Sequence, residues 1–324
     1  MSKEHHHILI AESRDLSPQV VATLNALGAV RCADLDRTAL LRENENATIL
    51  WVRLRNYIDS EVLGHFPHLR VLVTPTTGLT HIDLNEVCRR NIKLLSLQGE
   101  KDFLKTIRAT AEHTIGLMLA VIRRLPGAFD HVKASKWNRD EYRGEELYGK
   151  SIGIVGYGRL GKIVSRYLHA FDAKVLVADP NVNAATVDPW ALLVPIEKLL
   201  RESDIVTLHV NYHEGNRRLF GRREFAQMKE GAYFINTSRG ELLDEQVLLE
   251  SLESRALGGA ALDVLSEEHS IHGAVHPLVE YAQTHDNLII TPHIGGCTRE
   301  SLQKTEEFMA SRLRDWLKDA AYSI

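Results

Sequence analysis

The stretch SIGIVGYGRLGK, residues 151–162, limits what this chain can fold into more than any other. An apolar run of strand character leads into three glycines, Gly156, Gly158 and Gly161, and a helical spacing begins at Arg159. The next apolar run, AKVLVAD, ends on Asp179. A strand, a G-x-G-x-x-G turn, a helix and an acidic residue closing the following strand are together what a dinucleotide-binding unit requires. Gly156 permits the tight turn, Gly158 lets backbone N–H groups approach a pyrophosphate with no Cβ in the way, and Gly161 lets helix and strand pack closely. The helix N-terminus then faces a dianion, where its dipole is favourable. Asp179 can accept hydrogen bonds from both ribose hydroxyls, and its charge repels a 2′-phosphate, which favours NAD over NADP.

Around this turn the chain alternates short apolar runs with helical patterns, as parallel sheets covered on both faces do. In the first hundred residues HILIA, ATILWVR (47–53), LRVLVT (69–74) and residues 92–95 read as strands. Residues 16–27 read as a helix stopped by Gly28, and residues 82–90 as another. Residues 109–125, ATAEHTIGLMLAVIRRL, carry the longest helical pattern. It is apolar almost all round, which predicts a buried connector between two bodies, ended by Pro126 and Gly127. From Ser151 a second alternation supplies SIGIVG, AKVLVADP, SDIVTLHV, GAYFINTS, residues 259–264 and NLIITPH as strands, and residues 298–317 as a closing helix. With 324 residues and neither a repeat nor a long linker, the expectation is an α/β architecture in two closely packed domains.

Composition narrows the function classes. Lys plus Arg number 39 against 43 Asp plus Glu, a net charge of −4, which gives no support for a nucleic-acid or anionic-membrane partner. Cys32, Cys88 and Cys297 are scattered, with neither metal spacing nor a disulfide framework. No metal site is expected, and a reduced, cytoplasmic compartment is the simpler reading. The opening MSKEHHHILI lacks the apolar stretch of a signal peptide, and no segment is long enough to span a bilayer. His5, His6 and His7 read as polar residues entering a first strand.

Ligands of such sheets bind at the carboxyl ends of the strands. FINTSRGE puts Arg239 just after one strand, AALDVLSEE puts Asp263 and Glu268 after another, and IITPHIGG puts His293 after a third. An alcohol that loses a hydride must also lose a proton, and a histidine suits that exchange in both directions. A carboxylate beside such a histidine orients the ring. A guanidinium binds a substrate carboxylate in a fork and polarises a neighbouring carbonyl.

These residues resemble the D-isomer-specific 2-hydroxyacid dehydrogenase family, which includes phosphoglycerate dehydrogenases. The resemblance runs along nearly the whole chain, through AEHTIGLMLAVIRRLP, GIVGYGRLG, INTSRGE, GAALDV with Glu268 beyond it, HPL and NLIITPHIGG. It implies a Rossmann-type NAD-binding domain at residues 109–295, inserted into a flavodoxin-like substrate domain made of residues 1–108 and 296–324. It implies an NAD-dependent enzyme acting on a 2-hydroxy or 2-oxo acid, and an active homodimer joined through helices of the nucleotide domain. Carried over residue by residue, Arg239 binds the substrate, and Glu268 with His293 forms the acid/base pair. Gly156, Gly158 and Gly161 form the pyrophosphate turn, with Arg159 and Leu160 offering backbone amides. Asp179 holds the ribose, Asp263 accepts from the nicotinamide carboxamide, and Thr237 and His209 lie in loops near the cofactor. Gly78 and Leu79, in TPTTGLT, stand where backbone N–H groups hold the substrate carboxylate, and Arg53 stands where phosphoglycerate enzymes carry a basic residue.

The departures bear on substrate. TTGLTHID lacks the family's common second glycine and its Asp-Asn, and SLQGEKDFLKTIRATAEH is longer than the usual Asn-Pro-Gly segment. LHVNYHEGNRRLF lacks a proline-threonine run, and His269 replaces a proline. The first two alter the substrate-facing wall, so phosphoglycerate is not carried over as substrate, although Arg53 and Arg55 hint at a second anionic group. A C-terminal regulatory domain is not expected in a sequence ending at Ile324. Two other functions stay open: an NAD(H)-sensing binding protein of corepressor type, and formate or phosphite oxidation. Glu268 speaks against the formate branch, whose histidine is paired with glutamine.

Overall fold

The computed structural model describes residues 6–43, 46–268 and 276–322. The chain divides into two compact units, Met1–Thr106 with Thr298–Ile324, and Ile107–Cys297. In the first unit, β1 (His6–Ile10), β2 (Gly28–Cys32), β3 (Ile49–Trp51), β4 (Val71–Val73) and β5 (Lys93–Leu95) form a parallel sheet in the order β2-β1-β3-β4-β5. That is the flavodoxin-like winding. The central strands are unbroken apolar runs, with Ile8, Leu9, Ile10, Ile49, Leu50, Trp51, Leu72 and Val73 all buried, because helices cover both faces. His6 and His7 open β1, whereas His5 lies outside the described residues.

Two expectations in this unit need correction. The strand β2 was not anticipated, and Gly28 opens it rather than stopping the preceding helix. That helix, Pro18–Asn25, ends at Ala26 in ordinary right-handed geometry. Gly28 is small because a Cβ there would run into the backbone carbonyl of His6 on the neighbouring strand. GAVRC lies at the sheet edge with Ala29, Arg31 and Cys32 exposed, so it shows no strand period. The lengthened segment 96–108 forms a short helix, Lys101–Leu104, and is tied to the closing helix Arg299–Tyr322. Phe103 stacks on Phe308 with ring centroids 3.9 Å apart, and Arg312 pairs with Glu100 at 2.6 Å.

The second unit holds β6 (Ser151–Val155), β7 (Lys174–Ala178), β8 (Ala191–Leu193), β9 (Ile205–Leu208), β10 (Ala232–Asn236), β11 (Leu257–Leu262) and β12 (Leu288–Ile290). All are parallel, in the order β12-β11-β10-β9-β6-β7-β8. Counted within the unit this is the doubly wound order extended by one strand, and the winding reverses beside β6. The helix Ala109–Ile122 belongs to this unit. Its Ala111, Met118, Val121 and Ile122 pack with Ile152, Ile154, Val164 and Leu168 in the core of this unit. Pro126 and Gly127 do not end it: the helix stops at Ile122, Arg124 turns left-handed at φ 53°, and Pro126 sits in the first turn of a second helix, Leu125–Lys133. Proline costs nothing there, since first-turn N–H groups have no intrahelical acceptor. The strand β8, three half-exposed residues at the other sheet edge, was also missed.

Candidate active site

Because the seven strands are parallel, their carboxyl ends share one edge, and β6, the strand beside the winding reversal, ends there in Gly156. Gly156 has φ 92°, and a Cβ on it would lie 2.5 Å from the His209 carbonyl oxygen. A Cβ on Gly161 would meet the Gly156 carbonyl. Gly158 differs: its φ is −74°, and a Cβ there would meet nothing within 4 Å. Among the described residues nothing crowds position 158, so the space before it is open to a ligand. The helix Arg159–Ala170 starts at Gly158 with no side-chain cap, leaving first-turn N–H groups, those of Arg159 and Leu160 among them, as donors for an anion.

Asp179 follows β7 and is fixed at both oxygens: Tyr157 N–H donates to Oδ2 at 2.8 Å and Asn181 N–H to Oδ1 at 2.9 Å. A pyrophosphate on the turn and a ribose at Asp179 fit these groups. The Arg159 side chain is directed elsewhere, donating to the Ile107 carbonyl at 3.1 Å. Burial lowers its pKa, and the like charge of Arg108 adds to this. His209 follows β9, hydrogen-bonded to Thr207 Oγ1 at 3.1 Å. Burial pulls its pKa down to about 3, so it is neutral and presses its backbone against the turn.

The ends of β10, β11 and β12 carry the other candidates. Thr237 is buried, its hydroxyl 2.9 Å from that of Thr114. The Arg239 guanidinium donates to the Ser238 carbonyl, and among the described residues it has no ion-pair partner. Burial lowers its pKa, while the fields of Glu268, Glu241 and Asp263 oppose the shift. His293, with φ 52°, places Nδ1 2.6 Å from Glu268 Oε1. A carboxylate only accepts, so Nδ1 carries the proton and Nε2 is the ring atom left for proton exchange.

Asp263 is 1% exposed, and both its carboxylate oxygens accept hydrogen bonds. Its Oδ1 accepts from Thr291 Oγ1 at 2.6 Å, Ile294 N–H at 2.9 Å and His113 Nε2 at 3.2 Å, and its Oδ2 from Gly295 N–H at 2.7 Å. Its own carbonyl accepts from His293 N–H at 2.9 Å. Burial alone would raise its pKa, but the bonds from His113, Thr291, Ile294 and Gly295 outweigh it and hold the pKa below the ordinary aspartate range. The segment carrying His293 is therefore stapled to Asp263 by three backbone N–H groups. The sequence reading assigned no role to His113 or Thr291; His113 was visible in AEHTIG, but only the fold shows that it reaches β11 and β12. His269 lies outside the described residues.

In the first unit, Gly78 and Leu79 lie in the loop after β4, both half-buried. Arg53 has partners within the first unit. Its Nε donates to Glu306 Oε1 at 2.7 Å and its Nη1 to the Arg14 carbonyl at 2.8 Å, so its charge answers a fully buried glutamate. Arg55 is paired with Asp34 at 2.6 Å. Among the described residues no cluster of His, Cys, Asp or Glu could hold a metal ion, and no helix is long and apolar enough to cross a membrane.

A reversed-winding parallel sheet with a glycine turn at its switch point, and an Arg, Glu and His at neighbouring strand ends, defines a nicotinamide-dinucleotide oxidoreductase. Residues 115–295 match the model of the NAD-binding domain of D-isomer specific 2-hydroxyacid dehydrogenases, and the chain belongs to that family. It is thus an NAD-dependent 2-hydroxyacid dehydrogenase. It is 33% identical over 324 residues to a glyoxylate reductase of Thermofilum pendens, covering 98% of this chain and 87% of that one. It is 34% identical over 268 residues to a D-3-phosphoglycerate dehydrogenase of Archaeoglobus fulgidus, covering 82% of this chain and 49% of the other. The chain spans about half the length of the phosphoglycerate dehydrogenases it matches. A D-lactate dehydrogenase of Aquifex aeolicus, solved with NAD and lactic acid, superposes with a TM-score of 0.83 at 26% identity, covering 98% of this chain and 97% of that one.

Proposed function

We propose that the chain interconverts a small 2-oxo acid and its D-2-hydroxy acid, with Arg239, Glu268 and His293 as its catalytic residues. The observation that carries this reading is the 2.6 Å bond between His293 Nδ1 and Glu268 Oε1, together with Arg239, which feels the field of Glu268 yet has no ion-pair partner among the described residues. His293 Nε2 gives a proton to the carbonyl oxygen in reduction and takes it back in oxidation. Glu268 fixes the ring's orientation and offsets the charge of the imidazolium. Arg239 takes the substrate carboxylate in a fork and polarises the carbonyl beside it, and Gly78 and Leu79 offer backbone N–H groups to the carboxylate. Gly156, Gly158, Arg159, Leu160, Gly161 and Asp179 would hold NADH, which when bound would supply a hydride for C2. Asp263 Oδ2 has one donor only and keeps acceptor capacity for the carboxamide.

Domain limits at 109 and 295 are part of the same proposal, as is a homodimer. The dimer is supported by apolar groups on and after the helix Leu125–Lys133: Phe129 is 63% exposed and Trp137 89%. A cytoplasmic home is supported by three free cysteines. The test is NADH oxidation by the purified protein with glyoxylate, pyruvate, hydroxypyruvate, phosphohydroxypyruvate and larger sugar-derived 2-oxo acids, with His293→Ala alongside. Turnover on at least one acid, lost in His293→Ala, is the expected result. NADH binding without turnover on any acid would favour the sensor reading.

A further inference from the structure

The loop after β4 contains a file of side-chain hydrogen bonds that the roles above do not use. Thr74 and His81 are fully buried, and Thr76 is half-buried. His81 Nε2 lies 3.3 Å from Thr74 Oγ1, and Thr74 Oγ1 lies 3.0 Å from Thr76 Oγ1. Thr76 Oγ1 donates to the Gly78 carbonyl at 2.9 Å. A hydroxyl has one proton, and a carbonyl can only accept. The proton of Thr76 is committed to Gly78, so Thr76 accepts from Thr74, and Thr74 in turn accepts from His81. The direction of the file is therefore fixed, and His81 carries its proton on Nε2.

The end of the file is where it matters. The Gly78 carbonyl and the Leu79 N–H belong to one planar trans peptide and point in opposite directions. Holding the carbonyl on Thr76 holds the Leu79 N–H facing the other way. Rotation of that peptide would put a carbonyl oxygen where an anion expects a donor. Backbone bonds pin the flanks of the loop: Thr74 N–H to Leu95 O at 2.9 Å, Leu97 N–H to Thr76 O at 2.9 Å, and Ile58 N–H to His81 O at 2.8 Å. Gly78 lies between these anchors and is the residue whose backbone rotates most freely.

We infer that His81, Thr74 and Thr76 form a positioning relay that fixes the Gly78–Leu79 peptide for a substrate carboxylate. This rests on the proposed reading that the loop binds that carboxylate. Thr76 and His81 belong to the departure TTGLTHID, and Thr74 precedes it by two residues.

The test uses oxamate, an unreactive carboxylate analogue of a 2-oxo acid, titrated into the protein–NADH complex and followed by NADH fluorescence. In Thr76→Val the oxamate Kd is expected to rise on the order of tenfold, with the NADH Kd unchanged, and Thr76→Ser is expected to restore wild-type affinity. Equal oxamate affinity in Thr76→Val and wild type would overturn the relay alone. Absence of oxamate binding to the wild-type complex would overturn the carboxylate reading of the loop, and the relay's role with it. Should Thr76→Val fail to fold, 15N-histidine NMR of the wild type decides: a proton on Nε2 of His81 is required, and an Nδ1-protonated neutral ring would refute the relay.

Discussion

Replacing Asp263 with asparagine changes one atom of a side chain that has almost no freedom. The carboxylate accepts four hydrogen bonds, and three backbone N–H groups of the His293 segment reach Asp263 through its side chain or its carbonyl. Asparagine keeps one acceptor oxygen and turns an NH2 group toward a donor. One charge-assisted bond is lost, at roughly 1.5–3 kcal/mol, and a buried donor is left unsatisfied, at roughly 1–3 kcal/mol. The sum, about 2.5–6 kcal/mol, is a large part of a typical domain stability of roughly 5–15 kcal/mol. At about 2–4 °C per kcal/mol for a unit of this size, the melting temperature should fall by on the order of 10 °C. The sign of the pH dependence follows from the lowered pKa. Such a group contributes its full stability above the ordinary aspartate value of ~3.9 and loses it as pH falls through the folded value. The gap between wild type and Asp263→Asn should stay constant from neutral pH to about 5 and close below about 4. Because the staple positions His293, kcat should fall about a hundredfold. Calorimetry across pH and steady-state rates would check this. A melting temperature within about 2 °C of wild type with kcat intact, or a gap that widens on acidification, would refute the reasoning.

The two glycines of the turn should part company. Gly158→Ala, which meets open space, should melt like wild type yet bind NADH at least about tenfold more weakly, as read by fluorescence titration; Gly156→Ala, strained at φ 92° and against His209, should lose both stability and binding. Asp179→Ala removes the fixed carboxylate, and the ratio of kcat/KM for NADH over NADPH should drop by an order of magnitude or more; an unchanged ratio would dismiss Asp179 as the discriminator. Arg239→Lys replaces a fork with a point charge, so KM for the 2-oxo acid should rise about tenfold or more while the NADH Kd holds; an unaltered KM would remove Arg239 from the substrate site.

What the sequence disclosed, and what it withheld, follows from how each element is stabilised. Central strands such as β6 and β9 are mostly apolar because both faces are covered, and that pattern is visible without coordinates. Edge strands β2 and β8 are half-covered: GAVRC mixes residue types and ALL is only three residues long, so neither carries a period. Pro126 and Gly127 read as a stop because proline cannot continue a helix, yet it can begin one, and local sequence does not separate the two. The glycine turn and the strand-end Arg239, Glu268 and His293 could be named because local order places them. The donors on Asp263 could not: His113 is 150 residues away in the chain and Thr291 28. The pairing of Arg53 was hidden for the same reason, since its partner Glu306 lies 253 residues further on.

The central claim is hydride transfer to C2 with His293 managing the proton. It is tested most directly by running the reaction with NADH carrying deuterium at both C4 positions of the nicotinamide, using the best chiral-product acid of the panel. The product is then read by mass spectrometry and chiral chromatography. One deuterium at C2 of a D-2-hydroxy acid from the wild type, and no labelled product from His293→Ala, is the predicted result. An unlabelled product, an L-configured product, or equal labelling by the His293→Ala variant would contradict it.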